Sequence, residues 1–252
     1  MEVYAHRGSR SDHTRLIIEN TMEAFKYALE EQECDGIECD LRMSQDEVLL
    51  IHHDPSTHKT YQVIRDTNYS DLRAPYVIPR LEYVIPRLEE VFLLLKQTGK
   101  HCFLELKESD TALLGKLILL MHEMRIHEQV TCIGFPEHKI ALRHLATTFT
   151  FRTGLIPRGP VDILRSLRQP FHIIMLGWTS PKGRNGFLRF SFLLPFFTWL
   201  IRHHNKEVVA GIINNQDDMQ KFLGCGVNRI ITDNVPEALL LRNSLAEKHI
   251  KR

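Results

Sequence analysis

The chain has 252 residues, a formal net charge of +1, and 43% hydrophobic against 25% charged residues. That is chain enough for one large α/β core, and too even a balance for a broad cationic footprint, so no nucleic-acid partner is expected. Five cysteines, odd in number and without a C-x-x-C, fit a reduced, cytoplasmic setting better than a disulfide framework, and Met1 runs into a strand pattern with no secretory leader expected.

Residues 2–5 form a short strand candidate that delivers His6, Arg7 and Gly8 at its end. The segment to Arg15 is polar and loop-like, and residues 19–33 carry apolar positions at Met22, Phe25, Ala28 and Leu29, the spacing of an amphipathic helix. Glu19 and Asn20 stand either at the start of that helix, with Asn20 as its cap, or beside the site as partners. In the strand candidate 37–41 the period of two points Glu38 and Asp40 the same way and Cys39 the other. Taken alone, this acidic pair reads equally well as solvated surface charge. A turn at 44–47 leads to a second apolar run, 48–51, which ends on His52, His53 and Asp54. His52 is expected to be a structural or solvent-facing neighbour, because adjacent strand residues face opposite ways.

Residues 55–75 are expected to be a loop or small inserted lobe without a second core. The heptad YVIPRLE at 76–82 then recurs at 83–89, with Pro79 and Pro86 forbidding one continuous helix. The first copy is expected only to lengthen the loop, and the second to open a helix through Leu95 with Gly99 just past its end. Further strand candidates follow at 102–107, 130–134, 149–155, 172–176, 208–213 and 229–232, separated by helical patterns. With the two earlier units this makes eight β units alternating with helices, the sequence form of a (β/α)8 TIM barrel with a short insertion at 55–90 after the His-Asp motif, in one domain spanning 1–252.

In such a barrel, catalytic groups gather at the C-terminal strand ends, and His6, Arg7, Glu38, Asp40, His53, Glu105 and Lys107 all fall there. Three carboxylates make an oxygen-rich site suited to a hard cation, Mg²⁺ or Ca²⁺. Arg7 and Lys107 add positive charge that calls for an anion such as phosphate, and His6 and His53 can exchange protons near neutral pH. Together they describe phosphodiester cleavage. Residues 187–201, FLRFSFLLPFFTWLI, are the most apolar stretch, too short for a bilayer span. They are read as a barrel helix packed on its sheet, with an interfacial helix resting on anionic lipid between Lys182, Arg184 and Arg202 as the alternative.

The ordered set His6-Arg7-Gly8, Glu19-Asn20-Thr21, Gly36-Ile37-Glu38-Cys39-Asp40, Ser44, Asp46, His53-Asp54, Glu105-Leu106-Lys107 and GVNRIITDNVP at 226–236 resembles the glycerophosphodiester phosphodiesterase family across nearly the whole chain. The resemblance implies a TIM barrel that hydrolyses glycerophosphodiesters to glycerol phosphate and an alcohol with a divalent metal. It implies Glu38, Asp40 and Glu105 as metal ligands, His6 and His53 as the acid-base pair, and Arg7 and Lys107 as phosphate holders. Two departures stand out: Ile18 where the family commonly has proline, and Gly211-Ile212-Ile213-Asn214 where it usually has an aromatic before Thr-Val-Asn, which alters one wall of the pocket. A lysophospholipase D acting on lysophospholipids is the alternative activity, and a catalytically silent phosphodiester-binding protein the alternative of another class.

Overall fold

The computed structural model describes residues 1–9, 17–57, 60–73, 76–78, 81–178, 183 and 191–250, with backbone alone at 76–78, 81–83 and 247–250. Eight parallel strands close into a barrel: β1 (Glu2–His6), β2 (Gly36–Met43), β6 (His101–Leu106), β7 (Val130–Gly134), β8 (Arg152–Leu155), β9 (Ile173–Leu176), β10 (Glu207–Gly211) and β11 (Arg229–Thr232). Strands β3 (Leu49–Ile51), β4 (Tyr76–Ile78) and β5 (Leu81–Tyr83) lie outside the ring. Closure comes from β1, which pairs with β2 on one side and β11 on the other. Among the described residues the α-helices with defined bounds are α1 (Met22–Lys26), α2 (Tyr69–Leu72), α3 (Leu88–Thr98), α4 (Thr111–Glu123), α5 (Lys139–Thr148), α6 (Pro160–Ser166), α7 (Leu194–His203), α8 (Gln216–Gly224) and α9 (Val235–Ile250). The eight β units expected from the sequence are those of the ring. β8 starts later than the candidate at 149–155, after Thr150 takes a left-handed φ of 56°, and β10 ends at Gly211 rather than at 213.

The period of two stacks the barrel interior in layers. Tyr4, Phe103, Ile133, Ile173, Met175, Val209 and Ile231 fill the middle as one buried cluster. Two residues earlier on the same strands stand Glu2, His101, Thr131, Glu207 and Arg229, which form the floor; two residues later stand His6, Glu105 and Asp233, at the mouth. The opposite face of the strands packs on the helices in the main core, through Ile37, Leu104, Cys132, Ile174 and Ala210 among others.

The insertion is more ordered than the sequence suggested. The first YVIPRLE copy does not merely lengthen a loop: its 76–78 and 81–82 pair antiparallel, with Tyr76 opposite Tyr83 of the second copy. A second, small core is present as well, since Leu50, Ile64, Tyr69, Leu72 and Ile85 bury one another, and the Tyr69 hydroxyl donates to the Ile85 carbonyl at 2.9 Å. Asp46 secures this lobe to the turn after β2 by accepting from the Tyr69 amide at 2.8 Å. Helix α3 begins just after Pro86 and ends at Gly99 with φ 68°, the left-handed conformation that glycine adopts at least cost.

Of the apolar stretch at 187–201, residues 187–190 lie outside the described residues, as do Lys182 and Arg184. The rest forms a short 3-10 turn, Ser191–Leu193, and α7, which packs on the sheet through Leu194, Thr198 and Ile201. Among the described residues no helix is long and apolar enough to cross a membrane.

Candidate active site

Strand β2 presents Glu38 and Asp40 into the mouth, and its neighbour β6 presents Glu105 directly beside Asp40 in register. Ligand oxygens of the three carboxylates lie within 4.8 Å of one another, and all three residues are buried. Burial pushes Glu38 well above the ordinary carboxylate range, with Asp40 and Glu105 adding repulsion. Glu105 is raised by burial too, against the pull of Lys107. Asp40 goes the other way: burial would raise it, but Lys107, Arg7 and the Asn20 amide hold it below its usual value. Glu38 Oε1 is buried without a hydrogen-bond partner. An orphaned carboxylate oxygen beside two further acids is what a hard divalent cation would satisfy, so the residues present fit such an ion.

The two cations are held inside this acid cluster. Lys107 Nζ lies 2.5 Å from Glu105 and 3.0 Å from Asp40, and these two carboxylates keep the ammonium protonated despite its burial. Arg7 follows β1 in a left-handed conformation (φ 56°), and Gly8 continues it (φ 76°). A Cβ on Gly8 would meet Ala24 Cβ at 2.8 Å, so the turn that swings Arg7 into the mouth needs glycine. The Arg7 amide donates to Glu38 at 3.1 Å, and its guanidinium pairs with Glu19 at 2.6 Å and Asp40 at 3.2 Å.

Each histidine is held by a carboxylate on its Nδ1 side. His6 Nδ1 lies 2.7 Å from Asp233, while its Nε2 faces Glu38 at 3.7 Å. His53 Nδ1 lies 2.7 Å from Asp54. Burial together with the nearby Lys107 and Arg7 charges lowers the His53 imidazole below its ordinary value, although Asp40 and Asp54 oppose this. The His53 backbone is fixed by Arg42, which donates to its carbonyl from two guanidinium nitrogens at 3.1 and 2.8 Å. His52 is buried rather than solvent-facing, with Nε2 3.3 Å from the Ser56 carbonyl.

A family model, the glycerophosphoryl diester phosphodiesterase family, matches residues 6–153, a span that contains all seven candidate site residues. The chain belongs to this family. Among curated proteins, a glycerophosphodiester phosphodiesterase from Caldanaerobacter subterraneus subsp. tengcongensis is 24% identical over 94% of this chain and 96% of its own. Among solved structures, a glycerophosphodiester phosphodiesterase from Parabacteroides distasonis shares the fold with a TM-score of 0.76 at 17% identity, over 97% of this chain and 98% of that one. An Oleispira antarctica phosphodiesterase, solved in complex with the product sn-glycerol-3-phosphate, superposes with a TM-score of 0.69 at 18% identity, over 96% and 97% of the two chains.

Two residues that complete the site, Asn214 and Asp233, lie beyond the matched span, and two more, Asn20 and Arg42, lie within it. Asp233 was legible only as part of a motif, although its position one residue past β11 obeys the same strand-end logic as His6. Asn214 stands in the segment that departs from the family's aromatic pattern. It donates Nδ2 to Asp233 Oδ2 at 2.7 Å, while its Oδ1 accepts from the Asp233 amide and the Thr232 hydroxyl. Asn20 is a partner and not a cap: its amide donates to Asp40 at 2.7 Å, whereas Thr21 caps α1. Arg42 carried a signal, being the third residue of the Glu38, Asp40, Arg42 alternation.

Proposed function

We propose that this member of the family hydrolyses glycerophosphodiesters to glycerol phosphate and an alcohol, using a divalent metal and two histidines, in a cytoplasmic setting. The observation that carries the reading is the convergence of three buried carboxylates within 4.8 Å, one with an unpartnered oxygen, beside two carboxylate-held imidazoles. Glu38, Asp40 and Glu105 would hold Mg²⁺ or Ca²⁺, which when bound supplies Lewis-acid stabilisation of charge on the phosphoryl oxygens. Arg7 and Lys107 orient the phosphate by charge-assisted hydrogen bonds. With Nδ1 of each ring engaged, Nε2 of His6 and of His53 is the atom left to exchange protons, one taking the nucleophile's proton and the other protonating the leaving oxygen. Asp233 and Asp54 fix the two ring orientations.

A panel of glycerophosphodiesters assayed with EDTA and with metal added back tests the activity, and calorimetry tests the site. Turnover is expected to vanish with chelation and return with Mg²⁺ or Ca²⁺, and Glu38→Gln is expected to weaken metal binding about 10²-fold, by loss of a charged ligand. Unchanged metal affinity in Glu38→Gln would remove Glu38 from the ligand set. Lysophospholipids are the second substrate class, favoured by exposed aromatic side chains on α7, which follows β9 from the mouth. Comparing glycerophosphocholine with lysophosphatidylcholine separates the two.

A further inference from the structure

Helix α7 has two apolar faces, and only one is used. Leu194, Thr198 and Ile201 are buried against the sheet. On the opposite side, at spacings of four and three, Phe192 in the 3-10 turn that leads into the helix, and Phe196 and Trp199 on the helix itself, are 73%, 51% and 58% exposed. A helix at the surface of a globular barrel ordinarily turns a polar stripe to water, and here the outward stripe is aromatic. Trp199 stacks on His203 with ring centroids 5.3 Å apart, which continues the stripe to the end of the helix. Helix α6, which follows β8, adds to it: it exposes Val161 (56%) and Leu164 (52%), with Arg165 and Arg168 also exposed. Strands β8 and β9 are hydrogen-bonded neighbours, so the helices that follow them leave adjacent points of the mouth.

The charge along this stretch of sequence has one sign. From residue 163 to residue 206 the sequence contains no Asp or Glu, and seven Lys or Arg, in a chain whose totals of the two signs are nearly equal; of the seven, Arg165, Arg168 and Arg202 are exposed, whereas Lys206 is buried and donates to the Gln169 and Phe171 carbonyls. Asp162, at the edge of this run, is engaged locally, accepting from the Arg158 amide. Aromatic rings with a basic surround and no acid are the chemistry of an anionic lipid surface, where rings seat among the headgroups and cations meet lipid phosphates. A second protein would need its own acidic groups to match this run, and a second copy of this chain would set the run against itself. We infer that α6 and α7 form a docking face for anionic membrane surfaces, which brings the barrel mouth alongside the bilayer.

Binding is read without turnover, so this inference stands or falls apart from the proposed activity. The test is flotation of the full chain with vesicles of zwitterionic phosphatidylcholine, alone and with phosphatidylglycerol. Wild type is expected to float with the anionic vesicles, less well as salt is raised. The variant Phe192→Ser/Phe196→Ser/Trp199→Ser is expected to lose about tenfold or more of its vesicle partition while turning over soluble glycerophosphocholine as before. Phe196→Ser alone, which leaves the rest of the face intact, gives a smaller loss and guards against a misfolded triple variant. A triple variant that floats like wild type, or a wild type that floats with neither vesicle, overturns the inference. So does a wild-type dimer in sedimentation that the triple variant abolishes while neither protein floats, because the face then covers a second copy.

Discussion

At the floor of the barrel, where the strands begin, Glu2, Glu207, Arg152 and Arg229 form a chain of ion pairs; at the mouth, where the strands end, Glu38, Asp40, Glu105, Arg7 and Lys107 crowd into a buried cluster. On the floor, Arg229 meets Glu2 at 2.8 Å and also Glu207, which in turn takes Arg152 at 2.7 Å. Every partner there pulls the same way: Glu207 is lowered by Arg152 and Arg229 in spite of its partial burial, and Arg229 is raised by Glu2 and Glu207. At the mouth the groups work against one another. Glu38 and Glu105 are pushed up while Asp40 between them is pulled down, and a Glu38 oxygen has no partner. The floor is electrostatically complete within the chain, whereas the mouth keeps a buried carboxylate oxygen that nothing in the chain pairs, which suits the proposed cation. Similar residue types at the two ends of the same strands thus divide between stability and chemistry, the division that a closed barrel permits.

The largest effect is expected from removing a proton carrier from the mouth. His53→Ala is expected to lower kcat by about 10²–10⁴-fold, the worth of one general acid or base, while calorimetry still detects bound metal. A subtler change reaches His6 through Asp233. Asn214 donates to Asp233 Oδ2, and two donors fix the Asn214 amide so that it cannot flip. In Asp233→Asn the atom facing Asn214 must become the carbonyl, which turns the new NH₂ towards His6 Nδ1 and moves the ring proton to Nε2. The expected result is a kcat lower by about 10²-fold or more with KM little changed and a displaced pH profile. An unaltered profile would mean that Asp233 only fills space.

Much of the mouth was readable because its residues follow local rules. Glu38, Asp40, Glu105 and Lys107 obey a two-residue period at the ends of two strands, and His6, Arg7 and His53 sit at strand ends within the first quarter of the chain. The floor was not readable, because Glu2 and Arg229 are 227 residues apart and become neighbours only when β1 pairs with β11. The His6–Asp233 pair has the same separation and was missed as a pair for the same reason. The hairpin of the duplicated heptad was hidden by its prolines, which forbid a helix but leave pairing on either side of Pro79 and Arg80. The outward aromatic face of α7 was legible as apolarity alone, since only packing tells which half of an all-apolar helix the barrel uses.

Stability should also respond to pH through one residue of the floor, His101. His101, at the start of β6, sits against Tyr4 and Phe103 with its Nε2 3.0 Å from the Thr131 hydroxyl. Burial, with the Arg229 and Arg152 charges, lowers it from 6.5 to about 4. Above pH 6.5 the ring is neutral in both folded and unfolded chains. As pH falls from 6.5 towards 4 the unfolded chain binds the proton and the folded one does not, so stability is lost across that window, by about 2 kcal/mol once partial solvent access is allowed for. Denaturant melts at pH 7 and pH 5 are expected to differ less in His101→Asn than in wild type, and an equal difference would place the sensitivity elsewhere.

The smallest effect tests whether the floor is structural at all. Glu207→Gln keeps the shape but removes the charge that Arg152 and Arg229 share. These side chains are each about a third to a half exposed, so water already screens the pairs, and the expected cost is no more than about 1 kcal/mol in denaturant melts. Turnover and metal affinity should be unchanged, because the apolar layer of Tyr4, Phe103, Ile133, Ile173, Met175, Val209 and Ile231 separates Glu207 from the acid cluster. A Glu207→Gln variant that melted like wild type but bound metal more weakly would reverse the assignment of the two ends, since charge on the floor would then be felt at the mouth through that layer.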